Sequence, residues 1–327
     1  MKKWMKIEIV LLALVLVAAI IACTNLSRQT LAPVEDPVET VPETTEAIPT
    51  ETTEPQPTWM TFPADRALTA QQAFVYDCQT GEFTYLKGQA DDKVYPASIT
   101  KLFTAYVALQ FLQPEDLITA GDELDMVGVG SSVAEIEKGN TLTVEMLVEA
   151  MLLPSGNDAS YLMAVAAGRA IAEDATLAPA QAAALFVREM NGQARVLGMS
   201  GTHFTNPDGY HEYDHYTSNE DLVVIGQLAL DNGTIMKYAN TYAEAVTFET
   251  GEMKNWKNTN ALIDPASAYY CPYATGLKTG QTPSAGSCLL SSFAYEGRQW
   301  IIGVFGCPEI EDRFEDTLQL FNEAIGK

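Results

Sequence analysis

Strand-forming segments on either side of a long helical section are the feature that most constrains the fold. QQAFVYDCQTGEFTYLKG, at residues 71–88, has two apolar runs around a Thr-Gly turn, which predicts a β-hairpin. Helical periodicity dominates residues 116–240, with Gly198 as a C-terminal stop after ALFVREMNGQARVL. GLKTGQT, SCLLSSFAY and RQWIIGVFGC predict three further strands before a closing amphipathic helix, DRFEDTLQLFNEAIGK. This order predicts an α+β fold, in which an antiparallel sheet is flanked by helices and accompanied by a helix-rich subdomain.

The N-terminus has the pattern of an export signal. Three lysines among the first six residues precede an apolar run at residues 9–22, which is shorter than the roughly 20 residues of a membrane-spanning helix. The run ends in AIIAC, which resembles a bacterial lipobox, so residues 1–23 are predicted to be a signal peptide lipidated at Cys23. An uncleaved signal anchor is the alternative. Either interpretation places the rest of the chain outside the cytoplasm, tethered to the outer face of the cytoplasmic membrane.

Residues 24–58 are predicted to be a disordered linker. They are dominated by Pro, Thr and Glu and have no apolar period, so they cannot bury enough surface to offset the entropy of ordering. The catalytic domain is predicted at residues 59–327. The whole chain has a formal net charge of −24, which argues against nucleic acid as a partner.

The run YPASITKLFTAYVAL, at residues 95–109, predicts a buried helix that carries a hydroxyl and an amine on one side. Ser98 and Lys101 stand three residues apart in its first turn, and such residues share a helix face. Ser98 at a helix N-terminus is suited to attack a carbonyl, because the helix dipole favours the negative charge that develops. Burial and a second cation nearby, Lys278, would lower the pKa of Lys101, which is therefore the predicted general base.

Two further short motifs complete a set of three. One is Ser155-Gly156-Asn157 and the other is Lys278-Thr279-Gly280. Each motif alone is a weak signal, but the three together in this order, at well-separated positions, are typical of serine β-lactamases and penicillin-binding proteins.

The sequence around these motifs narrows the comparison to one family. YPASITKLFTAY, LLPSGNDAS, FVREMNGQARVLGMSGTHFTNPDGY and GLKTGQTPSAGSCLL resemble serine D-alanyl-D-alanine carboxypeptidases, the low-molecular-mass penicillin-binding proteins, over about residues 59–327. The resemblance implies a penicillin-binding, β-lactamase-like transpeptidase fold and an acyl-serine mechanism on the D-Ala-D-Ala end of peptidoglycan stem peptides. It also implies β-lactams as covalent inhibitors, and an oxyanion hole formed by the backbone N–H groups of Ser98 and Gln281. Such proteins often carry a C-terminal membrane helix, and here the N-terminal anchor is expected to take its place.

The remaining motif residues have expected roles in the same reaction. Ser155 is expected to relay a proton to the leaving nitrogen, and Asn157 to hold Lys101 and the substrate amide. Lys278 lies on a predicted strand, where a buried cation needs a partner, and it could share the role of base. Thr279 offers its hydroxyl to the terminal carboxylate, and Gly280 is expected to let the substrate backbone approach the strand edge. Gln281 stands where an aromatic residue or histidine is common in the family, which affects substrate preference more than the reaction.

Several alternatives stay open at the level of sequence. A Ser-His-Asp triad would have to use His203, His211 or His215, but no Gly-x-Ser-x-Gly elbow surrounds any serine. A D,D-endopeptidase acting on peptidoglycan cross-links would use the same nucleophile. A serine β-lactamase is less favoured, because the best-known class has Asp in the middle motif where this chain has Gly156. The last alternative is a lipoprotein that binds peptidoglycan termini without catalysis.

The cysteines and histidines suggest no metal site. Cys78, Cys271, Cys288 and Cys307 match no zinc spacing. Two of them, Cys288 and Cys307, lie in strand-like runs that could be neighbours, so a disulfide and a pair of buried thiols are both compatible with the sequence. The predicted chemistry requires neither a metal nor another cofactor.

Overall fold

A central sheet and the helices around it make up the computed structural model, which describes residues 59–63 and 66–327. In chain order the strands are β1 (Gln72–Asp77), β2 (Glu82–Lys87), β3 (Lys93–Val94), β4 (Leu117–Thr119), β5 (Thr141–Thr143), β6 (Thr217–Ser218), β7 (Ala243–Thr247), β8 (Met253–Lys257), β9 (Ala274–Thr282), β10 (Gly286–Tyr295) and β11 (Arg298–Cys307). The α-helices are α1 (Thr100–Ala108), α2 (Val144–Leu152), α3 (Asn157–Ala172), α4 (Pro179–Val196), α5 (Asn219–Leu230), α6 (Gly233–Ala239) and α7 (Asp312–Ala324).

The central sheet has five antiparallel strands in the order β2-β1-β11-β10-β9. Strands from both ends of the domain therefore meet at the centre, where β1 pairs with β11. β9 lies at one edge, so one side of its backbone is left unpaired by the sheet. An edge strand of this kind can align an extended peptide through main-chain hydrogen bonds.

Both faces of the sheet are buried, which explains the continuous apolar runs in its strands. Side chains alternate across a strand, so neighbouring residues face opposite sides. In β11, Ile301 belongs to the core shared with α1 to α6, and Ile302 belongs to the core under α7. On the α7 side the rings of Phe293 and Phe321 stack with 4.1 Å between centroids. The sheet is therefore the middle layer between the helical section and α7.

The predicted α+β order is confirmed in its main elements. The hairpin β1–β2, the three strands β9 to β11, the helix-rich middle and the closing helix α7 all form. Gly198 follows the end of α4 with φ of 77°, a conformation that suits glycine. The pairs β3–β6, β4–β5 and β7–β8 were not predicted, because strands of two to five residues are too short to show a period.

The four cysteines of the domain are free thiols in this structure. Cys288 lies on β10 and Cys307 on β11, as the sequence suggested, but the register pairs Cys307 with Ser287. Burial raises the pKa of Cys288 to about 11 and that of Cys307 to about 12, so both stay protonated and unreactive near neutral pH.

The export signal, Cys23 and the linker that the sequence predicts all lie outside the described residues. Within residues 59–63 and 66–327, no helix is both long enough and apolar enough to cross a bilayer.

Candidate active site

Ser98 lies in a short 3₁₀ turn, Ala97–Ile99, directly before α1. The sequence predicted it in the first turn of the α-helix itself. The structure differs because Ala97 has φ of 48°, and this left-handed residue begins a tighter turn ahead of the helix. Ser98 is half-buried, whereas Lys101, in the first turn of α1, is fully buried. The two side chains still meet, with 2.8 Å between Lys101 Nζ and Ser98 Oγ.

The Lys101 amine has three oxygen neighbours, and their arrangement suits a neutral lysine. Nζ lies 2.7 Å from Asn157 Oδ1 and 2.8 Å from the backbone oxygen of Asp208. Both of these atoms can only accept hydrogen bonds, so they take the two protons of a neutral amine. The lone pair is then left for the third neighbour, the Ser98 hydroxyl. In this protonation state Lys101 can receive the proton of Ser98.

Burial lowers the pKa of Lys101 to about 8. The physical cause is that a charged ammonium loses its hydration inside the protein. The carboxyl groups of Asp208 and Asp158 oppose this change but do not overcome it. A useful fraction of Lys101 is therefore neutral near physiological pH. The sequence anticipated the effect of burial but could not locate the two carboxyl groups.

Asn157 reaches Lys101 because its segment is held on both sides. It is the first residue of α3, and its backbone N–H donates to the carbonyl of Ser132 at 2.8 Å. The next residue, Asp158, accepts hydrogen bonds from the backbone N–H groups of Ala134 and Ile136 at 2.9 and 3.0 Å. Asp158 thus fixes the segment between β4 and β5 to the start of α3.

Ser155 is buried and has φ of 64°, a strained conformation for a residue with a side chain. Within the described residues its hydroxyl makes no hydrogen bond to Ser98, Lys101 or Lys278. Its role as a proton relay remains a prediction.

The Lys278-Thr279-Gly280 motif runs along the edge strand β9. Lys278 is buried, and its Nζ donates to the carbonyl of Thr279 at 3.0 Å. Burial lowers the pKa of Lys278 well below its ordinary value, and the positive charges of Lys101 and Arg313 add to that effect. The Thr279 hydroxyl is hydrogen-bonded to that of Thr259, which precedes β9 in the chain.

Gly280 packs closely within the protein itself, and its expected role toward the substrate backbone remains a prediction. A Cβ atom there would lie 2.8 Å from the carbonyl oxygen of Pro96 and 3.0 Å from Cβ of Ala97. The glycine thus lets β9 pack directly against the turn that carries Ser98. On the other side, Arg313 of α7 donates to the Gly280 carbonyl at 3.3 Å.

These elements surround a cleft of about 480 Å³. Its lining comes from the turn before α1, from α3, from the loop at 208–210 and from β9, and includes Ser98, Asn157, Asp208, Tyr210, Gln281 and Thr282. Ser98 and Gln281 both line it, and the oxyanion hole formed by their backbone N–H groups remains a prediction. A cavity of similar size, about 500 Å³, lies against α3 but contains no residue of the three motifs. In residues 59–63 and 66–327 no group of three or more His, Cys, Asp or Glu could hold a metal ion.

None of the three histidines forms the triad that the sequence left open. His215 is buried, and its Nε2 lies 2.9 Å from Thr100 Oγ1 rather than from Ser98. Burial lowers the pKa of His215 to about 3, so the ring is neutral and serves to order the loop.

His211 lines the cleft but packs edge-on against the ring of Tyr95. His203 contacts the carbonyl of Asp214. Among the described residues, the base within hydrogen-bond distance of Ser98 Oγ is Lys101.

Three residues that contact the site were missed by the sequence analysis. Asp208 lies in TNPDGY, a segment that resembles the family but does not by itself assign a role to this carboxyl group. Thr259 and Arg313 carry no local signal, because each reaches the motif on β9 only through the tertiary fold.

Known proteins resemble this chain in both sequence and fold. The family profile of peptidase S11, D-alanyl-D-alanine carboxypeptidase, matches residues 58–309. D-alanyl-D-alanine carboxypeptidase DacF of Bacillus subtilis (strain 168) is 29% identical over 263 residues, covering 79% of this chain and 62% of DacF. The crystal structure of the Streptomyces K15 DD-transpeptidase has a TM-score of 0.72 at 28% identity, covering 80% of this chain and 99% of that one. Penicillin-binding protein D2 of Listeria monocytogenes, in its ampicillin-bound form, has a TM-score of 0.63 at 27% identity, covering 78% and 97%.

These similarities confirm the predicted penicillin-binding fold. This chain spans less than two thirds of the length of DacF, although it covers almost the whole of the Streptomyces protein. The family profile extends over most of the chain and includes all three motifs. The chain therefore belongs to the D-alanyl-D-alanine carboxypeptidase family.

Proposed function

We propose that this protein is a serine-type D-alanyl-D-alanine carboxypeptidase that removes the terminal D-Ala from peptidoglycan stem peptides. The observation that carries the proposal is the contact between Ser98 Oγ and a buried Lys101 amine whose other two neighbours are acceptors. This is a serine activated by a neutral lysine, as an acyl-serine mechanism needs. The family profile supports the choice of D-Ala-D-Ala as substrate.

In the acylation step, Ser98 Oγ bonds to the carbonyl carbon of the penultimate D-Ala while its proton passes to Lys101 Nζ. The backbone N–H groups of Ser98 and Gln281 stabilise the oxyanion. The C–N bond then breaks, and the leaving D-Ala nitrogen takes a proton from Lys101, with Ser155 as the proposed relay. In the second step neutral Lys101 accepts a proton from the water that attacks the acyl-serine. Lys101 then returns a proton to Ser98 Oγ as the acyl C–O bond breaks, which releases the shortened peptide as a free acid.

A β-lactam would enter the same reaction as a covalent inhibitor. Its strained amide stands in for the D-Ala-D-Ala bond, but no leaving group departs after ring opening. The ampicillin-bound form of the Listeria relative supports this expectation. Formation of a stable penicilloyl-serine therefore provides an assay of the acylation step alone.

The substrate test uses the free carboxylate of the terminal D-Ala. We expect amidation of this carboxylate to lower release of the terminal residue at least about 100-fold, since charge-assisted hydrogen bonds to it are lost. The measurement compares kcat/KM for a pentapeptide acid, its C-terminal amide and a cross-linked dimer. Penicillin labelling of the same preparation controls for active enzyme. Equal rates on the acid and the amide would contradict a carboxypeptidase, and preferential cleavage of the dimer would favour an endopeptidase.

We further propose that the mature protein is held at the outer face of the cytoplasmic membrane by a lipid on Cys23. The AIIAC sequence after a charged and apolar leader supports this. Cells grown with labelled palmitate should incorporate label into the wild-type protein and not into Cys23→Ala. Absence of label from the wild type would rule out lipidation and leave the signal-anchor alternative.

A further inference from the structure

Asp208 contributes two groups to the surroundings of the catalytic lysine. Its backbone oxygen accepts a hydrogen bond from Lys101 Nζ at 2.8 Å. Its carboxyl group is also buried, with the residue only 1% exposed. One carboxyl oxygen accepts the N–H of Tyr210 at 3.1 Å, whereas Oδ2 has no hydrogen-bond partner among the described residues. A buried carboxylate oxygen without a donor is unfavourable unless a nearby charge compensates it.

Lys101 is the cation placed to compensate it, because Lys101 Nζ lies 2.8 Å from the backbone oxygen of the same residue and is positive when protonated. Burial raises the pKa of Asp208, and Lys101 opposes that rise. In the reverse direction, Asp208 opposes the fall in the pKa of Lys101. The coupling is reciprocal, as linkage requires: each charged form favours the other. The negative charge of Asp208 is therefore favoured at the moment when Lys101 becomes positive.

We propose that Asp208 is a positioning residue whose buried carboxylate stabilises the Lys101 ammonium that forms as Ser98 attacks. The inference rests on the proposed function. In that step the Ser98 O–H bond breaks, the Oγ–carbon bond forms, and the proton becomes the third on Lys101 Nζ. A fully buried lysine without a counter-charge would be a poor acceptor for this proton. Asp208 makes Lys101 a stronger base while leaving its amine in contact with Ser98.

Five other ionisable groups interact electrostatically with Lys101 or Asp208. They are Asp158 and Tyr161 on α3, Lys278 on β9, and Glu212 and His215 on the loop after Asp208. Asp158 is already engaged by backbone N–H groups. Glu212 is exposed, so water and salt screen its charge. Among these carboxyl groups, Asp208 alone has a buried oxygen without a partner in the described chain.

The test is the pH dependence of acylation by a fluorescent penicillin in Asp208→Asn. This change removes the charge but keeps the backbone carbonyl and an oxygen for the Tyr210 N–H. We expect the midpoint of the rise in rate to move down by about one pH unit, because Lys101 loses a nearby negative charge. The high-pH rate should fall by roughly three- to ten-fold, because Lys101 becomes a weaker base.

Glu212→Gln is the matched control, since it neutralises an exposed carboxylate on the same loop. Its midpoint should stay within about 0.2 units of the wild type. A folded Asp208→Asn protein with an unchanged midpoint would overturn the proposal, even if its rate were lower. That outcome would assign to Asp208 only its backbone contact. If the wild type neither binds penicillin nor releases D-Ala, the proposed function itself fails, which is a distinct result.

A second measurement does not require an Asp208 variant. By reciprocity, the Asp208 carboxyl should titrate at higher pH in Lys101→Met than in the wild type, which carbon-13 NMR of the labelled carboxyl would detect. We expect a rise of about one unit, equal to the shift expected for Lys101 in Asp208→Asn. A rise below about 0.2 units would overturn the proposal if Asp208→Asn did not fold.

Discussion

Replacing Lys101 by methionine should slow acylation of Ser98 by about 100- to 10,000-fold, the usual contribution of a general base. Methionine resembles the lysine stem in length and is apolar, so it suits the fully buried position. It removes the one base within hydrogen-bond distance of Ser98 Oγ in the described chain. The measurement is the second-order rate constant for labelling by a fluorescent penicillin.

Two controls make this result interpretable. Ser98→Ala should not be labelled at all, since it lacks the nucleophile. Circular dichroism and the melting temperature should show that Lys101→Met is folded. A folded Lys101→Met protein that is labelled at the wild-type rate would make Lys101 a structural residue, and Lys278 would become the candidate base.

Gly209→Ala should lower acylation by about 100-fold or more, although residue 209 contacts no substrate in the proposed mechanism. Gly209 has φ of 82°, and a Cβ atom there would overlap the carbonyl group of Ala97. Ala97 directly precedes the nucleophile, so we expect relief of the overlap to displace the turn that carries Ser98. Misplacement of a reacting group by about 1 Å can cost a factor of about 100.

Gly198→Ala is the matched control for that prediction. Gly198 has a similar φ of 77°, but a Cβ atom there would meet nothing within 4 Å. Both variants should lose roughly 1 kcal/mol of stability from the left-handed backbone. Only Gly209→Ala should lose activity. Equal acylation rates in the two variants would show that the loop at 209 does not position Ser98.

The residues that carry local signals were predictable from sequence. Ser98 and Lys101 are three residues apart, so helical geometry alone brings their side chains together. The apolar residues around them also indicated that Lys101 would be buried, which is the cause of its lowered pKa. In the same way, the apolar runs of β10 and β11 were long enough to be recognised as strands.

The residues that act through tertiary contacts were not predictable. Asp208 is 107 positions from Lys101 in the chain. Its backbone carbonyl accepts a hydrogen bond from the Lys101 amine only in the folded protein. Arg313 lies on α7, whose periodicity shows which face is apolar but not that one side chain reaches Gly280. Gly280 itself was identified, but its packing partner, the turn at Pro96 and Ala97, depends on how β9 approaches that turn.

The central claim is that neutral Lys101 takes the proton of Ser98, and the pH dependence of acylation tests it most directly. Labelling of the wild type by penicillin should increase with pH through a midpoint near 8, the pKa to which burial lowers Lys101, because only the neutral amine can accept a proton. The same rise should be absent from Lys101→Met. A wild-type midpoint near 10, or a midpoint near 8 that persists in Lys101→Met, would contradict the account.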